Sequence, residues 1–146
     1  DQKGAKKLSK RWRLSNLESA RLVTMVAPGL SIDPDINIID LKHALYKFGS
    51  NIISDLTILA WSDELTNLPQ PKNVRSKGWK SILEKCESWK DIQFPLNGND
   101  VIALGIKEGP NVGKLLKNVR DRWEKGGYND GRNTCLEHLA SIAKDY

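Results

Sequence analysis

Apolar residues return every three to four positions along most of this 146-residue chain, the period of an amphipathic helix rather than the alternation of a strand. The clearest case is Val112, Leu115, Leu116, Val119 and Trp123, at i, i+3, i+4, i+7 and i+11, halted by Gly126–Gly127. Other stretches repeat the pattern with their own start and stop signals. "SNLE" at 15–18 reads as a capping box in which Ser15 and Glu18 each satisfy the other's backbone amide. Leu22, Val23 and Val26 follow on one face, and Pro28–Gly29 ends the helix. Asp33 or Asp35 is expected to cap the next helix, turning Ile36, Ile39, Leu45 and Phe48 inward, with Gly49 as its C-terminal stop. Ser50 opens a third helix with Ile53, Leu56, Leu59 and Ala60 as the buried stripe.

The two prolines of "LPQPKN", 68–73, exclude that stretch from a helix interior. A helix over 72–90 would carry Val74, Trp79, Ile82, Leu83 and Cys86, interrupted by Gly78. After "QFPLNG", 93–98, Asn99 or Asp100 is expected to cap a short helix holding Val101, Ile102 and Leu104 and ended by Gly105. Pro110 suits the first turn of the following helix. Asp130 is expected to cap a last one through Leu136, Leu139, Ile142 and Ala143. The pattern therefore predicts an all-α, multi-helix array: a helical body bundle over 1–92 and a smaller C-terminal helical tail over 93–146.

Charge changes this picture at one end. Residues 1–13 hold Lys3, Lys6, Lys7, Lys10, Arg11 and Arg13 against Asp1, which is the whole net charge of +5; the other 133 residues carry 17 charges of each sign. A second basic cluster comprises Lys72, Arg75, Lys77, Lys80, Lys85 and Lys90. Basic segments of this kind bind polyanions, nucleic acid or acidic membrane, or are simply solvated. Lys10–Arg13 adjoin an ordered segment, and Trp12 among them either packs or stacks on a base. The longest apolar run, "LTILAW", is far shorter than a membrane helix, and no apolar segment follows the basic start as a secretory signal would require. Because the chain begins at Asp1 and not Met, a processed chain or an excised piece is expected.

Most catalytic chemistries find no residues. Cys86 and Cys135 lie within helical patterns and read as reduced, partly buried thiols. His43 and His138 have no partner at ligand spacing. Asp33 and Asp35 have the spacing of a two-metal pair, but Pro34 separates them and helix capping accounts for them. The stretch "NDVIALGIKEGPNVGKLL", which carries Gly105, Gly109 and Gly113, is one residue short of a nucleotide-binding P-loop and lacks its Ser/Thr. It reads instead as a helix–turn–helix. Gly109 and Pro110 would start the 110–124 helix with its positive end open to a phosphate, flanked by Lys107, Lys114 and Lys117. Gly113 then either admits a nucleic-acid backbone or lets two helices cross closely; both readings stay open at this point.

The stretch "FPLNGNDVIALGIKEGPNVGKLLKNVRDRW", 94–123, resembles the C-terminal tail of bacterial CCA-adding tRNA nucleotidyltransferases of the class II poly(A) polymerase-like family. The matching positions are Pro95, Gly98, Asp100, Ala103, Leu104, Gly105, Ile106, Gly109, Pro110, Gly113, Leu116 and Trp123. "RLSN" at 13–16 likewise resembles the opening of a body helix in the alphaproteobacterial type. The resemblance implies body and tail regions that hold the acceptor and TΨC parts of tRNA by shape and phosphate contacts. It implies a parent enzyme that adds CCA or poly(A) to RNA 3′ ends, using Mg2+ with ATP or CTP. The family's Gly-Ser and Asp-x-Asp head motifs and its Glu-Asp…Arg neck motif are not in this sequence. The expectation is thus a non-catalytic, cytoplasmic tRNA-binding fragment with no cofactor or metal site of its own. Its partners would be structured RNA and the missing head and neck of its own chain. The contacts expected are Lys10, Arg11, Arg13, Arg75, Lys77, Lys107, Gly109, Gly113, Lys114 and Lys117. The alternative is a helical protein–protein interaction domain with no nucleic-acid role.

Overall fold

The computed structural model describes residues 1–26, 29–67 and 75–144. The described residues form eight α-helices and no strand: α1 (Gln2–Arg11), α2 (Asn16–Val26), α3 (Ile38–Phe48), α4 (Ser50–Asn67), α5 (Ser76–Ser88), α6 (Gly98–Ile102), α7 (Pro110–Lys125) and α8 (Arg132–Ala143). The all-α expectation holds. The proline stretch 68–73, with Pro28, Lys72 and Val74, lies outside the described residues. The helices fall into two compact units, Asp1–Lys90 and Asp91–Tyr146.

In the first unit, α1 is a helix the hydrophobic pattern did not foretell. Asp1 caps it by accepting from the Gly4 amide at 2.5 Å. Its Ala5 and Ser9 are buried, and α1 packs along α2. The Ser15–Glu18 capping box forms as read from sequence: the Ser15 amide donates to Glu18 at 2.8 Å and the Glu18 amide to Ser15 Oγ at 3.3 Å. The α2 helix has no fully buried residue, and Arg21 reaches Asp55 of α4 through two hydrogen bonds of 2.5 and 2.6 Å.

The core of this unit is Ile32, Leu41, Ala44, Leu45, Ile53, Leu56, Trp79, Ile82 and Cys86, gathered from α3, α4, α5 and the segment before α3. The α3–α4 corner turns at Gly49, whose φ of 81° favours a residue without Cβ. At the centre of the α4–α5 contact, the buried Glu64 carboxylate accepts from Trp79 Nε1 at 2.9 Å and from Arg75 at 3.1 Å. Inside α5, Gly78 rests against the Pro34 backbone, where a Cβ would overlap.

The second unit is built around Leu96, Val101, Leu115, Val119, Trp123, Tyr128, Cys135 and Leu139. Trp123 meets Phe94 and Tyr128 edge-on at 5.4 and 4.9 Å, and its indole N–H donates to the Asp130 carbonyl at 3.0 Å.

Three caps differ from expectation. Asn37, not Asp33 or Asp35, caps α3 by accepting from the amides of Ile39 and Asp40; Asp33 instead accepts from the Asp35 amide and closes its own turn. Asn97 caps α6, and Asp100 sits at the third helical position as the returning half of a capping box. Gly131 precedes α8 with no side-chain cap, while Asp130 is occupied through its carbonyl. In each case another capping-competent residue or a tertiary contact took the position. The inward stripes also shift. Val26, Ile39, Leu59, Ile102 and Leu104 are exposed, and Thr57 is buried in place of Leu59.

Gly78 provides a sign test. Alanine in a helix interior usually gains about 1 kcal/mol over glycine. Here overlap with Pro34 should turn Gly78→Ala into a loss of about 1–3 kcal/mol, read from urea denaturation. A raised midpoint would mean that α5 and Pro34 do not touch.

Candidate nucleic-acid interface

The ten residues expected to meet RNA fall into three groups. Lys10, Arg11 and Arg13 come together where α1 ends. That end is a Schellman turn: the Leu14 amide donates back to the Ser9 carbonyl at 3.0 Å and the Arg13 amide to Lys10 at 3.2 Å. The turn puts Arg13 at φ 53°, a left-handed position usually given to glycine. Trp12 lies between these cations and is 63% exposed, so of its two sequence readings the packed one is excluded. Trp79 and Trp123 are buried, and Trp61 and Trp89 are partly so.

Arg75 and Lys77 sit at the start of α5. Both line a groove of about 490 Å³ floored by Ile36, Leu41 and Ile82. Their surroundings differ. Arg75 bonds Glu64 and stands 3.4 Å from both Asp33 and Asp35, so its guanidinium is committed to three carboxylates of the fold. Lys77 is exposed.

Lys107, Gly109, Gly113, Lys114 and Lys117 gather at the α6–α7 corner. Gly105, at φ 87°, reverses the chain after α6. Gly109 opens α7 with no side-chain cap and Pro110 follows at the first position. Pro110 has no N–H, and the Val112 amide turns back to Gly109 at 3.1 Å. Gly113, Lys114 and Lys117 lie on the side of α7 turned away from buried Leu115. Among the described residues, no atom beyond its chain neighbours and its own helix backbone lies within 4 Å of where a Gly113 Cβ would stand. Of the two readings of Gly113, close crossing of helices finds no partner here, and an open approach path remains.

Sequence reasoning missed the most regular cationic feature. Once α1 is helical, Lys3, Lys6, Lys7 and Lys10 line one shallow concavity of about 370 Å³ with Gln2. The signals were present: Asp1 as N-cap and lysines at helical spacing. They were obscured because the face carrying the period is charged, not apolar. Among the described residues, no ion pair uses any basic residue of 1–13.

The described residues hold no group of three His, Cys, Asp or Glu that could bind a metal ion. Burial pushes the Cys86 thiol up to about 11 and raises Cys135 as well, so both are protonated at neutral pH. His138 Nδ1 accepts from the Arg122 guanidinium at 3.0 Å, and burial together with that cation lowers its pKa. No described helix is long and apolar enough to cross a membrane.

Comparison with known proteins relates the chain, at low identity, to CCA-adding enzymes. No family model and no solved structure matches it. It is 26% identical over 139 residues to the CCA-adding enzyme of Limosilactobacillus fermentum, covering 92% of this chain and 31% of that protein. It is 21% identical to the mitochondrial CCA tRNA nucleotidyltransferase 1 of Danio rerio, over 88% of this chain and 35% of that one. A Rhodospirillum rubrum protein described as an uncharacterized 28 kDa protein in the petA 5′ region is 30% identical over 103 residues, 70% of this chain and 40% of its own length. The chain thus spans two fifths or less of these relatives.

Two expectations follow. Gly113→Ala should raise stability by up to about 1 kcal/mol in thermal denaturation, since the added methyl meets no packed neighbour among the described residues; a loss would reveal a hidden contact. The second concerns the tail clamp. Arg132 bonds Asp100 at 2.5 and 3.2 Å and the Pro95 carbonyl at 2.6 Å. The hydrogen bond from Arg132, followed by that from the Asn97 amide, holds the Asp100 carboxyl below its usual range. A depressed folded pKa adds stability above the unfolded value, about 3.9, that disappears as pH falls through the folded value. Asp100→Asn should therefore be less stable at pH 6 and show a shallower decline below about pH 4. Superimposable pH profiles would show that the clamp contributes nothing.

Proposed function

We propose that this chain is the non-catalytic, tRNA-binding body and tail region of a nucleotidyltransferase that extends RNA 3′ ends, of the CCA-adding or poly(A)-adding kind and the alphaproteobacterial type. The observation that carries the reading is the similarity to a CCA-adding enzyme along 92% of the chain. The uncommitted cations supply the physical means. Lys10, Arg11 and Arg13 at the end of α1, Lys77 on α5, and Lys107, Lys114 and Lys117 beside Gly109 and Gly113 offer charge and a close approach to phosphates. Duplex RNA is held in this way, by backbone and 2′-OH contacts with little base readout. Arg75 serves the α5 contact indirectly, by fixing the start of α5 through Glu64.

The reaction of such a parent enzyme would use Mg2+ with ATP or CTP. We assign them to a head and neck elsewhere in the parent protein, which would act in the cytoplasm. This region anchors the tRNA so that its 3′ end reaches that head. A second reading, a helical protein-interaction domain, draws on Ile58, Leu59 and Leu65, which are exposed together on α4.

The test is a titration against a tRNA minihelix at several salt concentrations. Affinity should fall linearly in log salt, with little sequence preference. Changing Lys10, Arg11 and Arg13 together to Ala should weaken binding and lower the salt slope by up to about 3. Gly113→Ala should weaken binding even as it stabilises the fold. No binding at low salt would favour the protein-interaction reading.

A further inference from the structure

Lys3, Lys6, Lys7 and Lys10 stand at i, i+3, i+4 and i+7 of α1, which sets them in a row along one face. The row is about 10 Å long at 1.5 Å of rise per residue. The other side of α1 is taken up by α2, with Ala5 and Ser9 buried there. Within α1 itself there is no acidic residue, and the Asp1 carboxylate at its start is engaged by the Gly4 amide. Neighbouring lysines one turn apart repel each other, so the bare helix carries a self-repulsion that a line of negative charges would relieve. At the far end the row runs into Arg11, exposed Trp12 and Arg13. Arg13 occupies a left-handed position at φ 53°, where glycine would cost less. A cation is kept there against the local backbone preference.

We propose that this face of α1 is a phosphate rail for RNA, with Lys3, Lys6 and Lys7 leading successive backbone phosphates toward the Lys10–Arg13 end. The proposal rests on the RNA-binding reading above and adds three contact residues to it. Trp12 then stands where a base leaving the duplex end can stack. The chemistry of the face favours RNA over its rivals. A helix that lies on a membrane presents an apolar side to the lipid, and the apolar side of α1 is already packed on α2. A protein interface is anchored by buried aromatic or aliphatic side chains, and this concavity is lined by Gln2 and lysines alone among the described residues.

The experiment measures binding of the full chain to a fluorescent tRNA minihelix between about 50 and 200 mM salt, the range over which phosphate contacts separate clearly. Lys3, Lys6 and Lys7 are changed together to Gln, which keeps helix propensity while removing charge. A charge-matched control changes Lys80, Lys85 and Lys90 to Gln, and a charge-preserving variant changes Lys3, Lys6 and Lys7 to Arg. The rail variant should lose roughly tenfold or more in affinity at the lower salt, and its salt slope should fall by about 2–3. The control should lose less than one unit of slope, and the Arg variant should match the parent chain. Equal losses in rail variant and control would reduce the effect to net charge and overturn the proposal. Parent-like binding by the rail variant would overturn the rail and leave the RNA reading standing. If the unaltered chain fails to bind the minihelix, both fall. Binding to phosphatidylserine vesicles that the rail variant loses, without RNA binding, would make the face a membrane contact instead.

Discussion

The first unit is organised by a single buried carboxylate. Glu64 has a side chain only 6% exposed and faces two donors, the Trp79 indole N–H and the Arg75 guanidinium. An isolated charge at that depth would be strongly unfavourable, so the site exists only because both donors converge on it. Their convergence fixes the register of α5 against α4. It places Trp79 in the core beside Ile82 and Cys86, and it draws Asp33 and Asp35 toward Arg75 from the segment before α3. With α5 held there, Gly78 comes to rest on Pro34. A larger residue at 78 or a neutral one at 64 disturbs the same seam from opposite sides.

The second unit answers the same need with fewer charges. Trp123 fills its centre, and the indole N–H finds the Asp130 carbonyl, so a large aromatic side chain is buried without leaving a polar atom unpaired. The Asp100–Arg132 pair closes the other side and carries the Pro95 carbonyl with it. What this scaffold leaves outside is the α6–α7 corner. Among the described residues nothing beyond the local backbone crowds the Cβ positions of Gly109 and Gly113, and the lysines around them are exposed. Together with the cations of α1, this leaves positive charge on surfaces that the fold does not use for its own cohesion. A polyanion-binding surface has to be built in that way, because a cation already engaged by a carboxylate has little to offer a phosphate. Arg75 shows the difference: it is basic in composition but consumed by the architecture.

Much of the local structure was legible in the sequence because its causes lie within four residues. The Ser15–Glu18 box, the stops at Gly49, Gly105 and Gly126–Gly127, and Pro110 at the start of α7 all rest on hydrogen bonds or dihedral preferences confined to one turn. The caps that went astray did so within the same range. Asn37 and Asn97 competed with nearby aspartates, and local propensity does not rank such neighbours sharply. Helix α1 was not legible in the apolar pattern because its periodic residues are lysines.

By itself, then, the sequence determined the helical class, the glycine stops and the presence of a basic start and a Gly–Pro–Gly corner. Only the tertiary structure decided which residues face inward, since burial depends on partners far away along the chain: Arg75 meets Asp33 at a separation of 42 residues and Arg132 meets Asp100 at 32. That is why Leu59 and Ile39 stayed outside despite a fitting period, and why Thr57 went in. It is also why the standing of each basic residue emerged only on folding. A periodic pattern sets which side chains share a face of a helix, but the neighbours packed against that helix settle whether the face becomes core, ion pair or open surface.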